Sequence, residues 1–239
     1  MHALNACYHL FIKFYNMKII KIIFGTLAIA LSFSACQSKQ STSETEDTTV
    51  SADTGSGHNM EAKESNSPIM TAMDKMMKDM HQMEMTGNAD YDLLSMLKSH
   101  HQGAVDMAEA ELELGTEPRL KQIAQNIVDK QSKEIQMLDH MLKSTDKSKK
   151  DYEPSDKNSG LGKDMDANMM KMMEMAHDTP GSVDHEFASM MIKHHKDGID
   201  MGNIIVRYSK MAEFKSMAKK MIDDQTKEIA ELETAMSQH

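Results

Sequence analysis

Two stretches of this sequence repeat one pattern and decide the fold: MLKSHHQGAVDM at residues 96–107 and MMIKHHKDGIDM at residues 190–201. At an offset of 94 residues, each stretch carries a methionine, two adjacent histidines and a closing Asp-Met pair at matching positions. The match extends downstream, where DKQSKEI at 129–135 aligns with DDQTKEI at 223–229. Because self-similarity at a fixed offset marks a duplicated structural unit, the sequence predicts two copies of one unit.

Helix start and stop signals divide each copy into one short and two long helices. Ser67-Pro68 is a typical helix start, Gly87 and Gly115 are typical helix ends, and Thr116 is a typical N-cap. Two hairpins that are each apolar on one face can bury those faces against each other. We therefore predict an all-α fold, a ferritin-like four-helix bundle made of two tandem repeats. The predicted helices are 67–85, 90–114 and 116–143 in the first copy, and 164–177, 183–208 and 212–236 in the second.

The composition supports helices and excludes some classes of partner. The 239 residues include 27 methionines, 11 glycines, 4 prolines and no tryptophan, which disfavours a β-sandwich or barrel with its frequent turns and aromatic strands. Asp and Glu number 37 against 27 Lys and Arg, for a formal charge of −10. This charge repels phosphate backbones, so nucleic acid is not expected as a partner.

The first 36 residues are typical of a bacterial lipoprotein signal rather than of the fold. After Met17, two lysines precede an apolar run at 22–33, and Ser34-Ala35-Cys36 closes the segment. Cys36 is predicted to become the lipid-bearing first residue; the alternative is an uncleaved membrane helix, for which the run is short. The predicted organisation is a signal at 1–36, a disordered tether at 37–66, repeat one at 67–143, a linker at 144–163 and repeat two at 164–239.

Methionine and histidine are then the soft-metal donors of the exported chain. The only other cysteine, Cys7, leaves with the signal, and Cys36 is blocked by lipid. On a helix, Met96, His100 and Met107 share one face, with Gly103 leaving room beside them. A thioether and an imidazole one turn apart suit Cu(I) or Ag(I), and the second copy repeats the arrangement. The predicted ligands of these helices are Met96, His100, His101, Met107, Met190, His194, His195 and Met201.

The short helices carry further methionines at helical spacing. With one residue inserted in the repeat, Met76, Met77 and Met80 align with Met169, Met170 and Met173. Methionine is commonly adaptable core filler, and that interpretation stays open. The density of methionine in a chain without free thiols nevertheless favours metal binding, so these six are also predicted ligands. Met73, Met83, Met165 and Met172 recur at similar spacing, and His81 and His177 are possible extra donors.

Polar residues near the histidines are predicted to orient them rather than to bind a soft ion. His101 and His195 lie about 100° around the helix from their neighbours, so they either serve a different site or face the hairpin partner. The predicted orienting residues are Asp106, Gln131, Glu134, Asp200, Gln225 and Glu228.

The string His-His-Gln-Gly-Ala-Val-Asp-Met at 100–107, with Gln131 and Glu134 on the following helix, resembles the domain of unknown function 305 family. The resemblance covers roughly residues 70–236 in two copies and implies a ferritin-like helical bundle. It also implies copper, because some members are exported copper-binding proteins implicated in copper resistance. The second copy departs from the pattern, with its glycine shifted to Gly198 and Glu231 in the place of Met137.

We therefore predict a non-enzymatic copper protein, lipid-anchored in the bacterial envelope and facing the periplasm, on the outer membrane rather than the inner. It would buffer Cu(I), with silver as a surrogate, or pass it to an export or acceptor protein. One alternative is a Met-rich surface for a protein partner or client without metal. Another is a di-iron oxidase, which needs two Glu-x-x-His motifs, whereas only Glu174 to His177 fits.

Overall fold

Six α-helices form the fold in the computed structural model, which describes residues 67–174 and 181–237. No strand occurs within these two ranges. The prediction of an all-α fold is confirmed, whereas the ferritin-like four-helix layout stays a prediction. The helices are α1 (Pro68–His81), α2 (Ala89–Leu114), α3 (Pro118–Ser144), α4 (Gly160–Met173), α5 (Val183–Tyr208) and α6 (Ala212–Met236).

The four long helices pack as two hairpins, α2 with α3 and α5 with α6. The hairpins meet mainly through α2 and α5, with a lighter contact between α3 and α6. The short helices lie outside this layer, α1 against α2 and α4 against α5. Leu94, Leu97, Ile127, Phe187 and Phe214 are fully buried between the helices, as expected for helices with one apolar face.

Each hairpin holds the turn of the other through a buried aspartate. Asp184, at the start of α5, accepts hydrogen bonds from the backbone N–H groups of Thr116 (2.8 Å) and Glu117 (2.7 Å), before α3. Asp90, at the start of α2, accepts from Ser209 Oγ (2.5 Å) and Lys210 N (3.0 Å), before α6. The two aspartates lie 94 residues apart, so the sequence repeat produces reciprocal capping between its copies.

The predicted boundaries of three helices, α1, α3 and α4, differ from the structure. The residue at the N-cap of α3 is Glu117 rather than Thr116, because the hydroxyl and N–H of Thr116 both bind Asp184. Helix α1 ends at His81 instead of about Met85, and Asp92 binds the backbone N–H groups of Thr86 and Gly87 in the connection that follows.

The short helix of the second copy, α4, covers Gly160–Met173 instead of 164–177. Gly160 has a positive φ of 59° at its first position. Gly162 approaches the preceding linker so closely that a Cβ would lie 2.5 Å from the carbonyl oxygen of Asp156. Two glycines therefore allow the helix to begin earlier than its methionine pattern suggests.

Several predictions concern residues outside the described ranges. These are the signal at 1–36 with Cys36, the tether at 37–66, and His177 with most of the Glu174–His177 motif. Within the ranges that are described, no helix is both long and apolar enough to cross a membrane.

Candidate metal site

The first histidine of each pair lies in the core, where α2 meets α5. His100 and His194 are buried, with their ring centroids 3.7 Å apart and their planes 31° from parallel. His194 Nε2 donates to the backbone carbonyl of His100 at 3.0 Å. Burial lowers the pKa of both imidazoles well below its usual value, and neighbouring histidines lower it further. Both rings are therefore neutral at neutral pH.

The second histidine of each pair faces its own hairpin partner, one of the two arrangements that the sequence left open. His101 Nε2 lies 3.0 Å from Glu134 Oε2, and His195 Nε2 lies 2.8 Å from Glu228 Oε2. Glu134 and Glu228, two of the predicted orienting residues, thus each contact a histidine. Burial raises the pKa of Glu228, but His195 and Lys130 lower it by more, so its pKa is below the usual value.

None of the other four predicted orienting residues forms a hydrogen bond with a histidine ring. Asp106 pairs with Lys75 at 2.8 Å, and Asp200 pairs with Lys171, both on the surface. Gln131 and Gln225 are buried, and their side-chain amides find no hydrogen-bond partner. Over residues 67–174 and 181–237, no three His, Cys, Asp or Glu side chains are arranged to hold a metal ion.

Methionines instead line a cavity of about 240 Å³ beside α1, α2 and α4, which we call the methionine cavity. Six methionines and one histidine line it, together with residues of the linker before α4. The charged side chains of Lys157 and Asp166, which also line it, form an ion pair of 3.0 Å with each other. The lining donors are Met80, His81, Met83, Met85, Met96, Met165 and Met169.

Close packing of α1 on α2 positions the first part of this cavity. Ile69, Met73, Met76 and Met80 form the buried face of α1 at helical spacing. A Cβ on Gly103 would lie 2.5 Å from Met76 Sδ and 2.8 Å from Met76 Cβ. The glycine that the sequence singled out therefore makes room for a neighbouring helix rather than for a metal ion.

The short helices α1 and α4 correspond to each other at a different offset in the structure from the one given by the sequence alignment. Their buried positions match at an offset of 92, pairing Met76 with Asn168 and Met80 with Met172. The aligned offset of 93 instead pairs Met80 with Met173. Asn168 Nδ2 donates to the carbonyl of Asp197, which stands at the position of Gly103 in the second copy. The register of α4 is therefore set by its contact with α5 at Asp197. In this register Met170 and Met173 are exposed.

The structure brings only some of the predicted ligands together. Met80, Met96 and Met169 line the methionine cavity, whereas His100 packs against His194. Met76, Met107, Met190 and Met201 are buried in the core, and Met77 is partly buried against it.

The sequence analysis did not consider Met85 as a donor, noted Met83 and Met165 only for their helical spacing, and named His81 only as an extra donor. Met83 and Met85 lie in the connection after α1, so helical periodicity could not place them. The sequence signal that could have identified Met83 and Met85 as donors is that they closely follow Met80 and His81.

Neutral thioethers give this cavity a defined chemistry. Methionine sulfur is soft, carries no charge and needs no deprotonation to bind a metal. Six such donors with one imidazole match the preferences of Cu(I) and Ag(I) rather than those of hard ions, which take oxygen ligands.

Comparison with known proteins places the chain in a family. The family model described as Domain of unknown function (DUF305) matches residues 34–142 and residues 90–236. The chain belongs to this family. The predicted family membership is confirmed, and the two matches together span both copies of the repeat. No curated protein matches the chain.

Two solved structures of another protein are similar to this chain. They are described as CopM in the Ag-bound form (by soaking) and CopM in the Cu(I)-bound form. Each is 26% identical, with a TM-score of 0.46, over 62% of this chain and 94% of the CopM chain.

Proposed function

We propose that this chain is a non-enzymatic copper protein that binds Cu(I) in the methionine cavity and buffers it or passes it on. The observation that carries the proposal is that six methionines and one histidine line a single cavity. These residues come from α1, the connection after it and α2, which are consecutive in sequence, and from α4, which is distant in sequence. Ordinary core packing would leave such methionines in contact with one another rather than lining a space.

The charge of the cavity supports a monovalent ion. Its charged lining residues, Lys157 and Asp166, neutralise each other. Placing Cu(I) among neutral thioethers therefore leaves one positive charge, which costs less in a partly buried site than the two charges of a divalent ion. The anionic surface of the chain would raise the local concentration of cations.

Anaerobic titration of the intact chain with Cu(I) against a competing chelator tests the proposal. Met96→Leu and Met165→Leu should each weaken binding at least about tenfold, equivalent to about 1.4 kcal/mol. Met107→Leu and Met201→Leu are matched controls, because both residues are buried but neither lines the cavity. The double variant His100→Ala/His194→Ala distinguishes binding in the methionine cavity from binding at the buried histidines. If Cu(I) binds in the cavity, this variant should have unchanged Cu(I) affinity.

A second measurement locates the bound ion without relying on affinity. With ¹³C-labelled methionine methyl groups, Ag(I) should shift the resonances of the cavity methionines and leave that of Met107 in place. No uptake of Cu(I) or Ag(I) by the wild-type chain would refute the proposal and favour the metal-free surface for a protein partner.

We also propose that the chain acts in the bacterial envelope, anchored through Cys36 to the outer membrane and facing the periplasm. The Ser-Ala-Cys sequence after an apolar run supports this location. Labelled palmitate should enter the wild-type protein but not the Cys36→Ala variant, and membrane fractionation should recover only the wild type. An export or acceptor protein would then be the recipient of the copper.

A further inference from the structure

Helix α4 carries three methionines spaced four residues apart, Met165, Met169 and Met173. Side chains four residues apart lie on one face of a helix, and each step rises about 6 Å along the axis. We call this row the α4 methionine row. The three methionines of this row therefore follow one another along one face of α4.

Exposure increases along the α4 methionine row. Met165 is 7% exposed, Met169 is partly buried, and Met173 is 40% exposed. Met165 and Met169 both line the methionine cavity, whereas Met173 lies beyond its lining. The row thus leads from the cavity to the protein surface.

The short helix of the first copy offers no comparable row. Its methionines Met73, Met76 and Met80 are buried, Met70 and Met77 are partly buried, and none is exposed. The difference follows from the register of α4, which turns Met173 outward and buries Met172 instead. The two short helices therefore differ in whether they carry a methionine that is exposed at the surface.

We propose that Met173 is the ligand through which Cu(I) enters and leaves the methionine cavity, by exchange along Met173, Met169 and Met165. This inference rests on the proposed function. Each step forms one Cu–S bond as another breaks, and copper stays Cu(I) throughout, so the route needs no oxidant or reductant. No proton is released either, since a thioether binds without deprotonation.

The rate of transfer tests this inference separately from the affinity. In the intact chain, Met173→Leu keeps the size and apolar character of the side chain and removes only the sulfur. Uptake of Cu(I) from a chelator should slow about tenfold, as if the barrier had risen by about 1.4 kcal/mol. Because Met173 lies outside the cavity, the stoichiometry and the equilibrium affinity should change less than about twofold.

Release provides an internal check on the same variant. If affinity is unchanged, removal of Cu(I) by excess chelator must slow by the same factor as uptake. Met137→Leu is the matched control, since Met137 is a methionine of similar exposure, 47%, on α3 and lines a different groove. Its uptake and release rates should equal those of the wild type.

Three results would overturn the route. Unchanged rates in Met173→Leu, with normal binding by the wild type, would remove the route and leave the cavity as the binding site. A loss of affinity in Met173→Leu would make Met173 an equilibrium ligand instead of a transfer ligand. No Cu(I) binding by the wild type would overturn both the proposed function and the route.

Discussion

The imidazoles of His100 and His194 are stacked across the contact between the two hairpins, with 3.7 Å between their centroids. One ring comes from each copy of the repeat, at positions 94 residues apart. Neither nitrogen of His100 has a hydrogen-bond partner, whereas His194 donates to a carbonyl. The stack therefore keeps two neutral imidazoles in a core where a charged one would be costly.

Acid should destabilise the metal-free protein through these two rings. In the unfolded chain each imidazole takes up a proton near pH 6.5, whereas burial lowers the pKa of both in the folded protein. Their contribution to stability is thus complete above about pH 6.5. Below that it falls by up to about 1.4 kcal/mol per pH unit for each histidine, until the folded pKa is reached.

Urea unfolding at a series of pH values between 5 and 7 measures this loss. His100→Phe keeps a ring against His194, removes one titrating group and breaks no hydrogen bond, so its stability should depend less on pH. Exposed His140 supplies the control, since His140→Phe should retain the pH dependence of the wild type. Identical pH dependence in all three proteins would contradict the role given to the stack.

The sequence predicted the helices well because they follow local rules. Helices α5 and α6 have the predicted boundaries, and Gly115, which ends helix α2, was recognisable by type. The all-α class followed from periodicity and composition alone. Thr116 was misassigned as the cap because its partner, Asp184, lies 68 residues away and no local pattern reveals that contact.

The candidate site was harder to predict because it depends on tertiary contacts. Helical spacing grouped Met96 with His100, yet the two side chains lie in different places. Met96 lines the methionine cavity, whereas His100 packs against His194 of α5. The register of α4 depends on Asp197, which replaces a glycine beneath it. Glu134 and Glu228, two of the predicted orienting residues, contact His101 and His195, and each of these pairs lies within one hairpin.

Binding in the methionine cavity should depend weakly on pH. Its thioethers do not titrate, and His81 is the only imidazole among its lining residues. Between pH 7.5 and 5.5, a site built on imidazoles with the usual pKa of about 6.5 would lose about tenfold in affinity for each ligating ring. We expect the Cu(I) affinity of the methionine cavity to fall less than about threefold over this range. A fall of about a hundredfold would indicate two such imidazoles among the ligands.

Glu111 should make the protein less stable at alkaline pH. This buried carboxyl lies beside Asp184, and burial, followed by the charge of Asp184, raises the pKa of Glu111 to about 8. Since its unfolded value is near 4.5, stability falls as pH rises between these values and is level above about 8. The corresponding residue of the second copy is Ile205.

Replacing Glu111 by leucine isolates that effect, with denaturant unfolding measured between pH 7.5 and 8.5, where the contribution of His100 and His194 to stability no longer changes with pH. Glu111→Leu should raise the stability at pH 8 by about 1–3 kcal/mol and flatten the slope. Glu113→Leu, on an exposed part of the same helix, should leave the slope unchanged. An unchanged slope in Glu111→Leu would mean that Glu111 stays ionised in the folded protein.

Gly103 should be sensitive to the smallest substitution. A Cβ at this position would lie 2.5 Å from Met76 Sδ and 2.8 Å from Met76 Cβ, and the second distance involves an atom that cannot move without its backbone. Gly103→Ala therefore has to push α1 away from α2, at a cost of about 1–3 kcal/mol that exceeds the gain in helix propensity. Because α1 carries Met80 and His81 to the methionine cavity, Cu(I) affinity should fall along with stability.

A compensating variant shows whether the contact with Met76 is the cause. Met76→Ala should cost stability by itself, through the cavity that it leaves. In combination, Met76→Ala and Gly103→Ala should cost less than the sum of their separate effects, because the shortened side chain lacks the Sδ and Cγ atoms of the closest contacts. Strict additivity of the two changes in a double-mutant cycle would show that Gly103 is not needed to accommodate Met76.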